Sequence, residues 1–441
     1  MHLSCLNLAD LLVNVWRGTI QGSKDDPKTW PFAVLSDKDE WAAHGLEVER
    51  AKPYLPGFFD RAPRNIADKF NSGYKAIECE IYLYNYSPNL MRRRLGRPYW
   101  DHLCKTVRAM RNLKAYTIPC PALVRAKLLL TEATKDFETH YYARDPDRLH
   151  LVRPVIHTLG HTPDQVVLHG SLICLTQLPM ERLIGDLGAE IKQPSKPYAN
   201  LSQRAVRRCQ VNALKAMLPE LDRSRHPDAL PRGAEDLGDR YALLRALERS
   251  RYHLPTLEAQ ALFDYLSLRE PHMVQNVSRA NFHAHLHRWA RLRLPNQQVA
   301  RSAWKECEKP LTKLRMARCI KFETNGRLDV GEVRYFAQVG PQQRPVALVS
   351  VFGPMDAALF EDSFETIELM PYRGDTALKV IDVKSIKAVV GMIPDLVVGD
   401  DAWRGDYKHL HVGQDYFVVE KLGFEVDITM GSVDPEMDVD E

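Results

Sequence analysis

The chain has 441 residues, 45% of them hydrophobic and 27% charged, and a formal net charge of only +3. That is enough for two or three domains with real cores, and no run of about eighteen apolar residues is present to cross a bilayer. The eight cysteines (Cys5, Cys79, Cys104, Cys120, Cys174, Cys209, Cys307 and Cys319) are scattered without a C-x-x-C pair, which excludes a zinc-finger framework and points to reduced thiols in cores. Leu6 to Val15 is apolar but interrupted by Asp10, with no basic stretch before it and no small-residue cleavage site after it, so it does not read as a secretory signal.

The first part reads as all helical. Leu6 to Arg17, Ala67 to Asn85, Pro98 to Ala115 and Pro121 to Ala143 are candidate helices, and the last carries Leu123, Ala126, Leu130, Ala133, Phe137 and Tyr141 at helical spacing. Asp10, among apolar neighbours on the first helix, reads as a structural or capping residue. Pro146, between Asp145 and Asp147, breaks the pattern. His157 and His161 share a helical face, with His150, His169 and Cys174 near in sequence, but no Glu follows His157 as a metalloprotease motif requires.

The stretch from Pro179 to Asp222 places a carboxylate at a helix start and follows it with a basic helix. Met180, Leu183, Ile184, Leu187 and Ile191 recur at helical spacing, while Glu181, Gly185 and Gly188 share another face, so Glu181 stands beside an open strip. In Gln203 to Leu218, Arg204, Arg207, Arg208 and Lys215 fall on one side and Ala205, Val206, Cys209, Ala213 and Met217 on the other, a helix able to pack on a core and still face DNA. Arg182 and Lys192 join this basic set. Arg223 to Gly238, with two prolines and two glycines, reads as a linker.

Between His285 and Lys321 lie ten basic residues, among them Arg288, Arg291 and Arg293, against Glu306 and Glu308. A local excess of that size is compatible with a phosphate backbone. His283, His285 and His287 alternate, so on a strand they share a face, and they read as part of a polar or DNA-facing surface rather than as metal ligands. Beyond Gly326, Glu332 to Val339, Pro345 to Phe352, Ala377 to Val383, Ile386 to Met392 and Tyr416 to Lys421 are β-rich runs between turns, expected to form a small barrel or sandwich. Phosphate-cradling glycine loops and a nucleophile elbow are missing.

The string PMERLIGDLGAEIKQPSKPYANLS beginning at Pro179 resembles the segment that closes the catalytic domain in fungal relatives of the CACTA (En/Spm-type) DNA transposases. LNLADLLVNVWRGTI from Leu6, PYLPGFFDRAPRN from Pro53, SGYKA from Ser72, DRLHLVR from Asp147 and RLRLPNQQVARSAWKE from Arg291 are similar to that family in the same order. The resemblance implies metal-dependent cutting and joining of DNA by an Asp, Asp, Glu triad on a ribonuclease-H-like sheet, because two hard cations need oxygen ligands to clamp the attacking and leaving oxygens of a phosphodiester. It implies that Glu181 is the third carboxylate and that the helices before it are the insertion such transposases carry.

In those relatives a D-x-M-H motif precedes the LNL block, whereas this chain begins Met1, His2, Leu3. The expectation is therefore a transposable-element remnant truncated at its amino end, with Glu181 as its one catalytic carboxylate and metal ligand only if upstream aspartates are supplied. No cofactor is expected for the chain as written, and Mg²⁺ or Mn²⁺ for a full-length relative. An active transposase when extended upstream and a domesticated DNA-binding or interaction protein are the alternatives. The expected fold is α+β: a helical transposase-like region over 1–225, a linker and basic helical segment over 226–325, a β-rich module over 326–425 and an acidic, disordered tail over 426–441. The expected partner is DNA, with possible homo-oligomers, no membrane, no small-molecule substrate, and residence in the nucleus.

Overall fold

The computed structural model describes residues 2–22, 24–191, 195–218, 230–395 and 408–423; Lys192, residues 223–229 of the expected linker and the acidic tail lie outside them. Helices come first: α1 (Leu8–Trp16), α2 (Lys38–Arg50), α3 (Ile66–Lys69), α4 (Ala76–Ile81), α5 (Ser87–Leu90), α6 (Arg97–Lys114), α7 (Cys120–Asp136), α8 (Pro154–His169), α9 (Leu178–Glu190) and α10 (Pro197–Met217). α6 shows why such a segment is helical. Pro98 occupies its first turn, where a missing N–H costs nothing; Trp100, Leu103, Cys104, Val107, Met110 and Leu113 form its buried stripe; and Arg111 and Lys114 meet the negative end of the helix dipole. The run expected from Ala67 to Asn85 is instead broken at Ser72, Gly73 and Tyr74, where Gly73 has φ +86°.

The sheet begins at β1 (Glu235–Asp236) and continues with β2 (Ala242–Leu247), the two-residue strands β3 (Tyr252–His253) and β4 (His285–Leu286), β5 (Trp289–Arg293) and β6 (Val299–Arg301). α11 (Thr256–Arg269) lies between β3 and β4, and α12 (Ala303–Glu306) follows β6. Then come β7 (Cys319–Thr324), β8 (Arg327–Val339), β9 (Arg344–Val351), α13 (Ala357–Asp362), β10 (Leu369–Pro371), β11 (Leu378–Asp382), β12 (Ile386–Pro394) and β13 (Asp415–Val419). Eleven of the described strands form one antiparallel sheet in the order β1-β2-β5-β8-β7-β12-β13-β10, with β6 beside β5, and β9 between β8 and β11; β3 and β4 pair separately.

Two expectations are corrected here. The described residues of 226–325 are not a linker with a basic helical segment: Arg288 lies between β4 and β5, while Arg291 and Arg293 are on β5 itself, where Trp289 and Leu292 point inward and the arginines are only half-buried. Their alternating charges disguise a strand as a charged patch. Nor do 326–425 form a separate module, since one hydrophobic core runs from Leu8 through α8 and takes in Leu369, Met392, Ile393, Tyr416 and Val419 of the sheet. Backbone and side-chain bonds lock the two parts together. Met316 N–H donates to Pro53 O at 2.8 Å, Asn85 Nδ2 to Glu420 O at 2.8 Å, and Arg92 and Arg93 both bind Asp395 at 2.7 and 2.9 Å. α11 covers the far face of β8, β9 and β11 through Leu262, Leu266, Leu348 and Val380. Among the described residues no helix is long and apolar enough to cross a membrane.

Candidate nucleic-acid interface

Glu181 lies in the first turn of α9, behind Pro179, and its N–H donates to Gln177 O at 2.9 Å. An acid there meets the positive end of the helix dipole. α9 buries none of its side chains, and a Cβ added at Gly185 or Gly188 meets no atom within 4 Å, so the strip beside Glu181 is open as the spacing predicts. Among the described residues no three His, Cys, Asp or Glu side chains, as they stand, are already gathered as a metal-ligand set. The residues around Glu181 therefore do not by themselves fit a two-metal centre. Asp10 is engaged elsewhere: it accepts from Arg153 at 2.8 Å and from Asn14 at 2.9 Å, joining α1 to the residue that precedes α8.

The basic helix is α10, with a polarity opposite to the expectation. None of its residues is buried, and Val206, Val211, Leu214 and Met217 are exposed. Arg208 pairs with Glu190 at the end of α9, Arg204 stands 3.8 Å from the same carboxylate, and Arg204 Nε donates to Asn200 Oδ1 at 3.0 Å. The charged side thus turns toward α9, because Glu190 is the nearest acid that two guanidinium groups can share. Of the predicted contacts on these helices, Arg207 and Glu181 are exposed, Lys215 is half-buried and Arg182 lines a shallow hollow with Leu178, Leu183 and Asp186.

The basic stretch from His285 to Lys321 divides in space. Arg288 is a packing residue: its guanidinium lies 3.7 Å from the centre of the Tyr252 ring and 4.5 Å from that of Trp304, and it binds Glu248 at 2.7 and 3.0 Å. Arg315 donates to Leu55 O and Pro56 O. Arg318 is fully buried against Glu332 at 2.8 Å, and Lys321, also fully buried, bridges Glu368 and Glu420 at 3.1 and 2.7 Å. Arg288, Arg315, Arg318 and Lys321 are therefore spent on folding.

Others converge. Arg245 of β2, Arg291 of β5, Arg301 of β6, and Lys305 and Lys309 on and after α12 line one hollow of about 170 Å³. Ser302 caps α12 through Lys305 N–H, which aims this short helix over the strand pair. The register sets Arg291 directly opposite Arg301. Like charges at that position cost stability. Burial and the neighbouring Arg301 hold the Arg291 guanidinium below its usual range. Burial likewise lowers Lys309, opposed by Glu306 and reinforced by Arg301 and Arg291. Glu306 is the one carboxylate lining the hollow. Burial pushes its pKa up against the pull of nearby cations, and it accepts from Ala317 N–H at 3.0 Å, with Lys309 at 3.6 Å and Arg301 at 3.9 Å. Lys305 also pairs with Glu308 at 2.8 Å, so two acids stand against five cations and the hollow stays positive. Arg245 was not foreseen, because only the β2–β5 pairing brings it 46 residues across the sequence, its backbone oxygen accepting from Arg291 Nε. Arg293 is half-buried on the same strand and is not among the lining residues.

Comparison with family models, curated proteins and solved structures returned no match.

Proposed function

We propose that this protein is a DNA-associated product of a transposable element of the CACTA type, and that it holds the duplex backbone in the hollow between β2, β5, β6 and α12. The observation that carries the reading is the opposition of Arg291 and Arg301 across a strand pair, crowned by Arg245, Lys305 and Lys309. Glu306 and Glu308 answer only part of that charge, whereas a phosphate oxygen between the two guanidinium groups converts their repulsion into two charge-assisted contacts. Glu181 enters as the family's carboxylate, and Arg207 of α10 as an exposed cation on a second surface. Mg²⁺ or Mn²⁺ belongs to this reading only as the ion that further carboxylates would hold beside Glu181.

The test is duplex binding measured across a salt series for the full chain, for Arg291→Gln with Arg301→Gln, and for Arg204→Gln with Arg207→Gln and Arg208→Gln. Each lost phosphate contact lowers the slope of log affinity against log salt by about 0.9. The β-pair variant should lower that slope by about 2 and weaken binding to all sequences alike, while the α10 variant should lose less, since Arg204 and Arg208 already share Glu190. Binding insensitive to salt, or unchanged in the β-pair variant, would overturn the reading.

A further inference from the structure

A second constellation lies at the other end of β5. β3 and β4 form a two-stranded ribbon in which His253 is directly opposite His285, held in register by Leu254 N–H donating to Ala284 O at 3.1 Å. Side chains alternate along it: Phe282, Ala284, Leu286 and Arg288 turn toward the protein, and His283, His285 and His287 are exposed. His253 Nδ1 and His285 Nε2 stand 3.2 Å apart, and the His283 ring stacks on His253 with centroids at 6.1 Å and an interplanar angle of 23°. Three imidazoles therefore gather on one face of an exposed ribbon.

We propose that His253, His285 and His283 form a site for a tetrahedral divalent metal ion, zinc by preference. Imidazole nitrogens lie about 2.05 Å from zinc, so two of them 3.2 Å apart subtend about 103° at the ion, near the tetrahedral angle. The His253–His285 pair is thus already set for coordination by the strand register. His283 is one pleat along the strand from His285, and rotation about its side-chain bonds swings its ring from the stack to the third position. His283 and His285 also line a groove of about 800 Å³ that holds Arg249 and Arg251 beside Glu235 and Glu248, a polar space from which a water can complete the coordination. His287 turns toward Glu248, its Nδ1 lying 3.1 Å from Glu248 O.

The pair His157 and His161 on α8 is the rival. Its Nε2 atoms are 3.0 Å apart and subtend about 94° at a metal, an angle for cis ligands of an octahedral or square-planar ion rather than a tetrahedral one. A simple N–H···N hydrogen bond also accounts for the separation in each pair. What it does not account for is the third ring drawn over His253 on a solvated ribbon.

The experiment is calorimetric titration of the full chain with Zn²⁺ alone, set beside the His253→Gln, His285→Gln and His283→Gln variants and the His157→Gln, His161→Gln double variant, each checked for native circular dichroism. The wild type and the double variant should show one saturable event of the same affinity. His253→Gln and His285→Gln should each weaken it by at least about a hundredfold and His283→Gln by about tenfold, a ligand mattering at least as much as the outer-shell groups that orient one. Absent binding, binding retained when His253 and His285 are both replaced, or binding lost only with His157 and His161 would overturn the site. None of these outcomes bears on the basic hollow.

Discussion

One span of sequence, Arg291 to Lys321, supplies two groups of cations that the sheet treats in opposite ways. Arg318 and Lys321 point into the protein, where each meets carboxylates at hydrogen-bonding distance: Glu332 for the first, Glu368 and Glu420 for the second. Arg291, Arg301, Lys305 and Lys309 are half-buried around a hollow whose one lining acid is Glu306. The inner cations are paired one for one or better, as burial demands. The outer ones outnumber the acids that meet them, Glu306 beside Lys309 and Arg301, and Glu308 at Lys305. Charge that folding has already matched is spent, and charge left in excess is available to a ligand.

The inner rule is broken most severely by removing Lys321. Lys321→Met leaves the half-buried Glu368 and Glu420, which line a cavity with Arg108 and Arg111 of α6, without the buried lysine they share. Losing one partner of a buried ion pair costs about 3–5 kcal/mol, so the midpoint of urea denaturation should fall sharply. A variant as stable as the wild type would mean that solvent reaches these carboxylates and that they are not held by Lys321.

His102 sharpens the same rule, because it is a buried base for which burial outweighs the pull of Asp136. Its ring packs edge-on against Tyr141, its Nδ1 has no hydrogen-bond partner, and burial pushes its pKa down to about 4. The folded pKa is depressed below the unfolded value of about 6.5, so the folded state resists a proton that the unfolded state takes up. Stability from this group is complete above about pH 6.5 and is lost as pH falls toward 4. The loss comes to about 3 kcal/mol over that window. His102→Phe keeps a ring against Phe137 and Tyr141 and removes the proton site. Between pH 7 and pH 4.5 its melting temperature should fall by several degrees less than that of the wild type. Parallel pH profiles would show that the imidazole titrates normally.

How much of this was legible in the sequence follows from which forces act locally. α6 and α7 were readable because their apolar stripes repeat every three to four residues and prolines mark their starts. β8, β9, β11, β12 and β13 were readable as runs of β-branched and aromatic residues between turns. β2 and β5 were not. Ala-Leu-Leu-Arg-Ala-Leu has no period of two, and the arginines of β5 stand where a polar alternation looks like a charge run. The open strip beside Glu181 was predicted from two glycines alone, but the side toward which α10 turns its arginines depends on Glu190, which no periodicity within α10 reveals. The histidine ribbon was half visible. Alternation of His283, His285 and His287 showed a shared face, while His253 joins it only through a cross-strand register 32 residues away. Charge counts mislead for a further reason: a linear tally cannot separate Lys321, wholly inside, from Arg301, half outside.

The smallest effect is the most discriminating, because it has opposite signs in two assays. Arg301→Gln removes one of the two guanidinium groups that oppose each other across β5 and β6, leaving Glu306 with Lys309 and the Ala317 N–H as partners. Relief of a directly opposed like-charge pair is worth about 0.5 kcal/mol, so the variant should be slightly more stable than the wild type to urea at low salt, with the gain shrinking as salt screens the repulsion. The same variant should bind duplex DNA more weakly, with a salt slope lower by about 0.9. Arg318→Gln makes the converse case: it should lose stability, by leaving the buried Glu332 with only Arg334 at 3.6 Å and the Tyr372 hydroxyl, while the hollow's own cations are untouched. If Arg301→Gln lowers stability instead, the two arginines are held by contacts within the protein, and the hollow is one more structural ion cluster rather than a place for a phosphate.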